Sequence, residues 1–399
     1  MKRLFSNLLF KVFMAIVLGI VFGQYLPESI NRIFTTFNAF FGQFLNFSIP
    51  LIIMGLIMPA ISDLGKGAGK LLLLTAAIAY GSTLFSGFMT YFTASSIFPQ
   101  LLETHVNDAA QIADSGLELI PYFSITIPPV LDVMSALVLA FVIGLGLSYQ
   151  EKSSLKSVVK DFQKIIMQLI ENVIVPLLPL FILGIFVSMS FSGQVFSILS
   201  VFISIIGVIF ALHILLLLLQ YTIAGVITKK NPIKLLATMM PAYFTALGTQ
   251  SSAATIPVTL EQTLKNGVSK KIAGFVIPLC ATIHLSGSIM KITACAMALM
   301  ILHGMPFSFT LFAGFIFVLG IAMIAAPGVP GGAIMAAVGI LQSMLGFNEE
   351  MLGLMIALYI AMDSFGTACN VTGDGAISLV VNEITKEKTV AEIKEPVLT

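Results

Sequence analysis

Six apolar runs, near residues 8–25, 39–61, 71–98, 129–148, 165–189 and 196–228, are each long enough to cross a bilayer as a helix. They limit this chain to folds that live in lipid. Of 399 residues 58% are hydrophobic and 10% charged, with a mean hydropathy of +1.03, whereas a soluble domain carries roughly 25% charged residues. Twenty basic and 19 acidic side chains cannot coat a soluble exterior. A net charge of +1 gives no basic surface for nucleic acid. Cys280, Cys295 and Cys369 lie inside apolar stretches without paired spacing, so they read as buried thiols. The basic lead and apolar run at the start lack a convincing cleavage site and read as a first span that stays in place.

After residue 230, Pro, Gly, Ser and Thr interrupt the apolar pattern. Two segments look too broken to be simple spans: roughly 233–262, with TALGTQSSAATIPVT, and roughly 308–345, with AAPGVPGGAIM. Longer apolar segments, about 269–302 and 350–380, flank the second of them. Loops on the cytoplasmic side should be rich in Lys and Arg. Lys2, Arg3 and Lys11 begin that series, and Lys66 and Lys70, then Lys152, Lys156, Lys160 and Lys164, then Lys229, Lys230 and Lys234 continue it at every second connection. Lys265, Lys270 and Lys271 follow the first broken segment, so both of its ends map to the cytoplasm and it must enter and return on one face. The second begins after His303 and ends at Glu349 and Glu350, as a hairpin entering from outside would. Lys386, Lys388 and Lys394 place the tail inside. The expected fold class is therefore an all-α membrane protein, with eight transmembrane helices plus two re-entrant helical hairpins. Irregular backbone at membrane depth is tolerated only where protein or a water-filled cavity meets it, and paired broken segments point to a midplane binding site.

Asp363, Thr367, Asn370 and Asp374 are spaced by 4, 3 and 4, which puts them within about 60° on one helix face. Two carboxylates there cost roughly 2.5–3.5 kcal/mol each at bilayer depth, so cations, amines or hydrogen-bond donors must compensate them. Packing glue between helices needs no such charge. The segment IPLCATIHLSGSIMKITACAMAL adds His284, Ser286, Ser288 and Lys291; His284 is a candidate proton site and Lys291 a candidate internal counter-charge, against the bland readings of a neutral packed His and a snorkelling Lys. The first tip offers Ser251, Ser252 and Thr255 beside backbone that Pro257 keeps from regular helix, and the second, PGVPGG, offers nearly bare backbone. His213 reads as a packing histidine and Asp132 as interfacial. Walker, nucleophile-elbow and HExxH patterns are absent, so chemistry on a solute is not expected.

At these residues the chain resembles the glutamate transporter family, the dicarboxylate/amino acid:cation symporters. TQSSAATIPVT is similar to the first hairpin tip, ATIHLSGS to an unwound seventh span, GVPGGAIM to the second tip, and the run Asp363 to Asp374 to the last span. The resemblance implies a homotrimer of elevator-type carriers with inverted repeats in the inner or plasma membrane, both termini cytoplasmic. Residues 1–228 would form spans 1–6 (1, 2, 4 and 5 scaffold; 3 and 6 in the transport domain), 229–380 the transport-domain core, and 381–399 a cytoplasmic tail. It implies substrate contacts at Ser251, Ser252, Ser288, Gly328, Val329, Asp363, Gly366, Thr367 and Asn370, with Asp363 on the substrate's α-amino group and amides near Ser252 on its α-carboxylate. It implies sodium ligands among Cys280, Thr282, His284, Asn370, Asp374, Met323, Ile324 and Ala326.

Two departures redirect that expectation. Acidic-substrate members carry an Arg just before the threonine of the last span, and this chain has Gly366, with Gln250 and Ser364 where supporting arginines occur. The bidentate partner for a side-chain carboxylate is missing, which favours a small neutral amino acid such as serine, alanine or threonine unless Lys291 reaches the site. The family's Asn-Met-Asp-Gly-Thr reads His284-Leu285-Ser286-Gly287-Ser288, which removes the anionic ligand of a third sodium site, and Leu74 to Tyr80 lacks its partner motif. The expected function is uptake coupled to a cation gradient with fewer than three Na+ ions, with His284 and Lys291 as coupling candidates. Proton-coupled or sodium-independent carriage of a dicarboxylate or acidic amino acid through Lys291 is the alternative. A channel or solute-gated sensor is the alternative from another class.

Overall fold

The computed structural model describes residues 8–63, 70–113, 119–150, 153–193, 195–326 and 330–394, and no strand occurs among them. In chain order the helices are α1 Leu8–Tyr25, α2 Glu28–Asp63, α3 Lys70–Ala113, α4 Val133–Ser148, α5 Ser154–Leu169, α6 Val175–Phe191, α7 Val195–Thr228, α8 Pro232–Thr249, α9 Ser252–Lys265, α10 Lys270–Ile283, α11 Ser286–Leu302, α12 Phe309–Ala325, α13 Gly332–Leu345, α14 Glu349–Ala361 and α15 Asp363–Lys394. Six stretches, α1, α2, α3, α5 with α6, α7 and α10 with α11, are long and apolar enough to cross a membrane, and the pair α14 and α15, bent by 60° at its break, passes the same test together. Large side chains such as Phe13, Phe85, Ile203 and Val226 stand exposed on these helices. Water would not tolerate so much exposed apolar surface; lipid does. The protein is therefore a multi-pass membrane protein.

Helix α5 runs into α6 through a π-helical turn, Ile170–Ile174. Pro176 follows directly and has no N–H to donate to the turn before it, so the ladder widens there instead of breaking. The segment 119–131, not helical, lies along α2: Tyr122 hydroxyl donates to Ser29 O at 2.7 Å, Arg32 Nε donates to Ile120 O at 2.8 Å, and the Arg32 guanidinium covers the Tyr122 ring. Asp132 caps α4 by accepting from Ser135 N at 2.9 Å, and hydrogen bonds from Ser135 hold its carboxyl below the usual range.

Each broken segment becomes two helices. Asn231 caps α8, accepting from the amides of Ile233 and Lys234, and Gln250 ends it with φ +54°, a left-handed conformation unusual outside glycine. Ser251 then caps α9 by accepting from Ala254 N. Helix α9 runs from Ser252 straight through Pro257, so the expectation of irregular backbone at that proline is corrected. Only the bond to Ala253 O is forfeited, and packing against α8, α10 and α15 holds the helix. Helices α12 and α13 flank residues 327–329, so Gly328 and Val329 lie outside the described residues.

At the centre, α10 and α11 are two halves of one broken span. The stretch Lys270–Leu302 has 94% of its apolar window buried, against 22% for α1. The helix stops at Ile283, His284 and Leu285 are non-helical, and Ser286 restarts it. The break lies against α15, with His284 at Asp374 and Gly287 at Asn370, two to three turns beyond the point where α14 stops and α15 restarts at Asp363.

Candidate functional site

The interruption of α10 and α11 can press against α15 because glycine lines the contact. A Cβ at Gly287 would lie 2.7 Å from Gly366 O and 2.8 Å from Cys369 Cβ, and one at Gly373 would lie 2.8 Å from His284 Cε1. This closeness lets Asn370 stitch the broken backbone: its Oδ1 accepts from Gly287 N at 2.7 Å and its Nδ2 donates to Ser288 Oγ at 3.1 Å. Ser288 Oγ also accepts from Tyr359 hydroxyl at 3.1 Å. Asn370 and Ser288, both expected in the site, are therefore brought together.

The polar stripe divides into two ends about 16 Å apart along α15, at 1.5 Å per residue. At the first end, Asp363 opens the helix. Its Oδ1 accepts from Lys291 Nζ at 3.1 Å and its Oδ2 accepts from Gly331 N, at the start of α13, at 2.8 Å. Lys291 is fully buried, and its ammonium also donates to Met362 O at 3.4 Å and lies 3.7 Å from the Tyr359 ring centroid. It is the only buried Lys or Arg among the described residues. The bland reading of a snorkelling lysine is thereby corrected. Gly366 makes room for it: a Cβ there would sit 2.5 Å from Lys291 Nζ and would collide with Cε.

At the second end, Asp374 Oδ1 lies 2.8 Å from His284 Nδ1, and His284 Nε2 lies 3.1 Å from Ser82 Oγ on α3. Gln220 Nε2, from α7, donates to that same Ser82 oxygen at 3.0 Å, which leaves the Ser82 hydroxyl hydrogen free to point at Nε2. Both ring nitrogens of His284 are thus partnered, Nδ1 by Asp374 and Nε2 by Ser82, while Gln220 Oε1 is buried without a partner among the described residues.

Other expected site residues fall nearby or elsewhere. Thr367 is buried on the same face of α15. Ser252 is buried and Ser251 caps α9 at the first tip, which Gln250 ties to the start of α15 by donating from Nε2 to Ser364 Oγ at 2.8 Å. Cys280 is buried and its carbonyl accepts from His284 N as the end of α10. Thr282 is exposed and donates to Leu279 O within its own turn. Met323 and Ala326 are buried and Ile324 partly so, at the end of α12, with Met323 O accepting from Ala326 N. His213, expected as packing, has its Nε2 3.3 Å from Gly287 O at the break. The residues missed are Tyr359, Gly331, Ser82 and Gln220. Two of these carried a signal: Gly331 as part of the bare-backbone run PGVPGG, and Tyr359 as a lone tyrosine in an apolar run four residues before Asp363.

The model of the "Sodium:dicarboxylate symporter family" matches residues 8–384. The chain belongs to that family. That family is one of symporters, not of enzymes. Among its relatives are the excitatory amino acid transporter 3 of Mus musculus, 34% identical over 180 residues (45% of this chain and 34% of the relative), and the excitatory amino acid transporter 5 of the same species, 32% identical over 162 residues (40% and 29%). The excitatory amino acid transporter 1 of Rattus norvegicus is 30% identical over 187 residues (46% and 33%). The matched stretch spans about a third of the length of each of these relatives.

Proposed function

We propose that this family member is a secondary active symporter for a small zwitterionic amino acid with a neutral side chain, of the serine, alanine or threonine kind. The observation that carries the reading is the placement of Lys291. It stands in the space of a residue 366 side chain, and its charge is committed to Asp363. A substrate with a second carboxylate meets no other buried cation among the described residues. A zwitterion brings no net charge: its ammonium takes Asp363, and its carboxylate takes amides at the start of α9, near Ser252. Thr367, Asn370, Ser288 and the tip at Gly328 and Val329 complete the expected contacts.

Coupling follows from the other end of the stripe. Asp374 is buried beside a histidine that can donate to it while remaining neutral, so its charge calls for one co-transported cation. With Ser286 in the place of an acidic ligand, this supports fewer than three Na+ ions per cycle. The charge distribution supports eight crossings and two re-entrant hairpins with cytoplasmic termini, and the family resemblance supports a trimer of elevator-type protomers in the cell membrane, divided at 1–228, 229–380 and 381–399.

A thermal-shift panel of the twenty amino acids and C4 dicarboxylates, with sodium and with choline in its place, tests substrate and ion together, because ligands of the folded state stabilise it by mass action. Stabilisation by small neutral amino acids, lost in choline and lost in Asp363→Asn, is the expected result. Stabilisation by dicarboxylates alone would overturn the substrate reading, and indifference to sodium would overturn the coupling reading.

A further inference from the structure

Both oxygens of Asp363 are engaged in the structure, and one of the partners is an ammonium. That is the same chemical group the proposed substrate would present. Lys291 reaches it from α11, pinned by the Tyr359 ring and by Met362 O, and Gly366 leaves the room its terminal carbon and nitrogen occupy. The remaining partner is the amide of Gly331, at the end of the second tip that leads into α13. The lysine and the tip therefore close on one carboxylate together.

We propose that Lys291 is a tethered stand-in for the substrate ammonium: it holds Asp363 in the empty carrier and gives it up to the amino acid. The proposal rests on the reading of Asp363 as the amine ligand. A buried carboxylate without a partner is costly to move through the membrane interior. In the loaded carrier the substrate amine meets that need, while the displaced Lys291 ammonium keeps Met362 O and the Tyr359 ring as its partners; in the empty carrier Lys291 itself holds Asp363. The return of the empty carrier, and hence net uptake, then needs no counter-transported cation, whereas exchange of one substrate for another needs no lysine.

A lysine serving instead as the partner of the substrate carboxylate would be required in every loaded state. Proteoliposomes separate the two roles. With radiolabelled L-alanine, Lys291→Met is expected to keep exchange, measured with alanine on both sides, close to the wild-type rate. Net uptake into alanine-free vesicles should fall by about tenfold or more, tenfold being what about 1.4 kcal/mol of added barrier produces. In Lys291→Ala, which vacates the space beside Tyr359, methylammonium or potassium inside the vesicles should restore net uptake by occupying Asp363. Lys291→Gln, which can still donate to Asp363 and Met362 O, gives the same two fluxes if the Met variant does not fold. Equal loss of exchange and net uptake would overturn the proposal, and so would net uptake that survives removal of the charge. Failure of the wild-type chain to exchange any amino acid would be a failure of the functional reading itself, and it is seen before any variant is made.

Discussion

Replacing Gly366 by alanine adds one methyl group at the most crowded point of the interior. The new Cβ would stand 2.5 Å from Lys291 Nζ and in collision with Cε. A flexible lysine on a surface would swing aside, but this one is fully buried and held by Asp363, Met362 O and the Tyr359 ring. Overpacking a close-packed interior costs about 1–3 kcal/mol. If the ammonium yields, the buried pair opens, at a cost of about 3–5 kcal/mol. The expected destabilisation of Gly366→Ala therefore lies near 3 kcal/mol, where these two ranges meet. Lys291→Ala removes the obstructing atoms, so the second substitution should cost little in that background. The coupling energy of the double-mutant cycle should reach about 2 kcal/mol, within the range for residues in contact. Reversible unfolding in mixed detergent micelles measures all four corners. Additivity within about 0.5 kcal/mol would refute the claim that Lys291 fills the space beside Gly366.

His284→Ala should destabilise the protein by about 3 kcal/mol, the upper end for a hydrogen bond to a charged group, since Asp374 loses its donor; unfolding in the same micelles checks it, and the sodium concentration needed for half-maximal transport should shift as well. Gln250→Ala removes the bond from the first tip to Ser364, worth about 1 kcal/mol, and should weaken alanine binding more than it lowers stability, as read by thermal shift with and without alanine. The cap at α4 has a definite pH sign. Because Ser135 holds the Asp132 carboxyl below its ordinary range, the cap's contribution is complete above the range of an unfolded aspartate and fades as pH falls through the lowered value. Asp132→Asn, which keeps an acceptor without the charge, should flatten that acid limb of the stability profile.

The spans were legible because crossing a bilayer takes a long, nearly uncharged run, and no other fold requires one. The stripe on α15 was legible for the same kind of reason, since a 4, 3, 4 spacing can only be one face of a helix. What joins that stripe to the rest was not. Lys291 and Asp363 are 72 positions apart and His284 and Asp374 are 90 apart, so their pairing depends on how α11 and the break before it lie along α15. Gly366 could be read as a missing arginine. That its emptiness is filled by a lysine from another helix needed the third dimension. The break between α8 and α9 falls within TQSSAATIPVT, where the tip was expected, though a glutamine and not a glycine takes the left-handed turn; Pro257 misled because tertiary packing outweighs one lost helix bond.

The central claim is that Asp363 receives the ammonium of a small amino acid, and competition against alanine exchange in proteoliposomes tests it most directly. L-alanine and L-serine should compete, whereas N-acetyl-L-alanine and propionate, which keep the carboxylate and lose the ammonium, should not. Asp363→Asn should abolish the exchange altogether. Competition by propionate equal to that by alanine, or exchange retained in Asp363→Asn, would contradict the account.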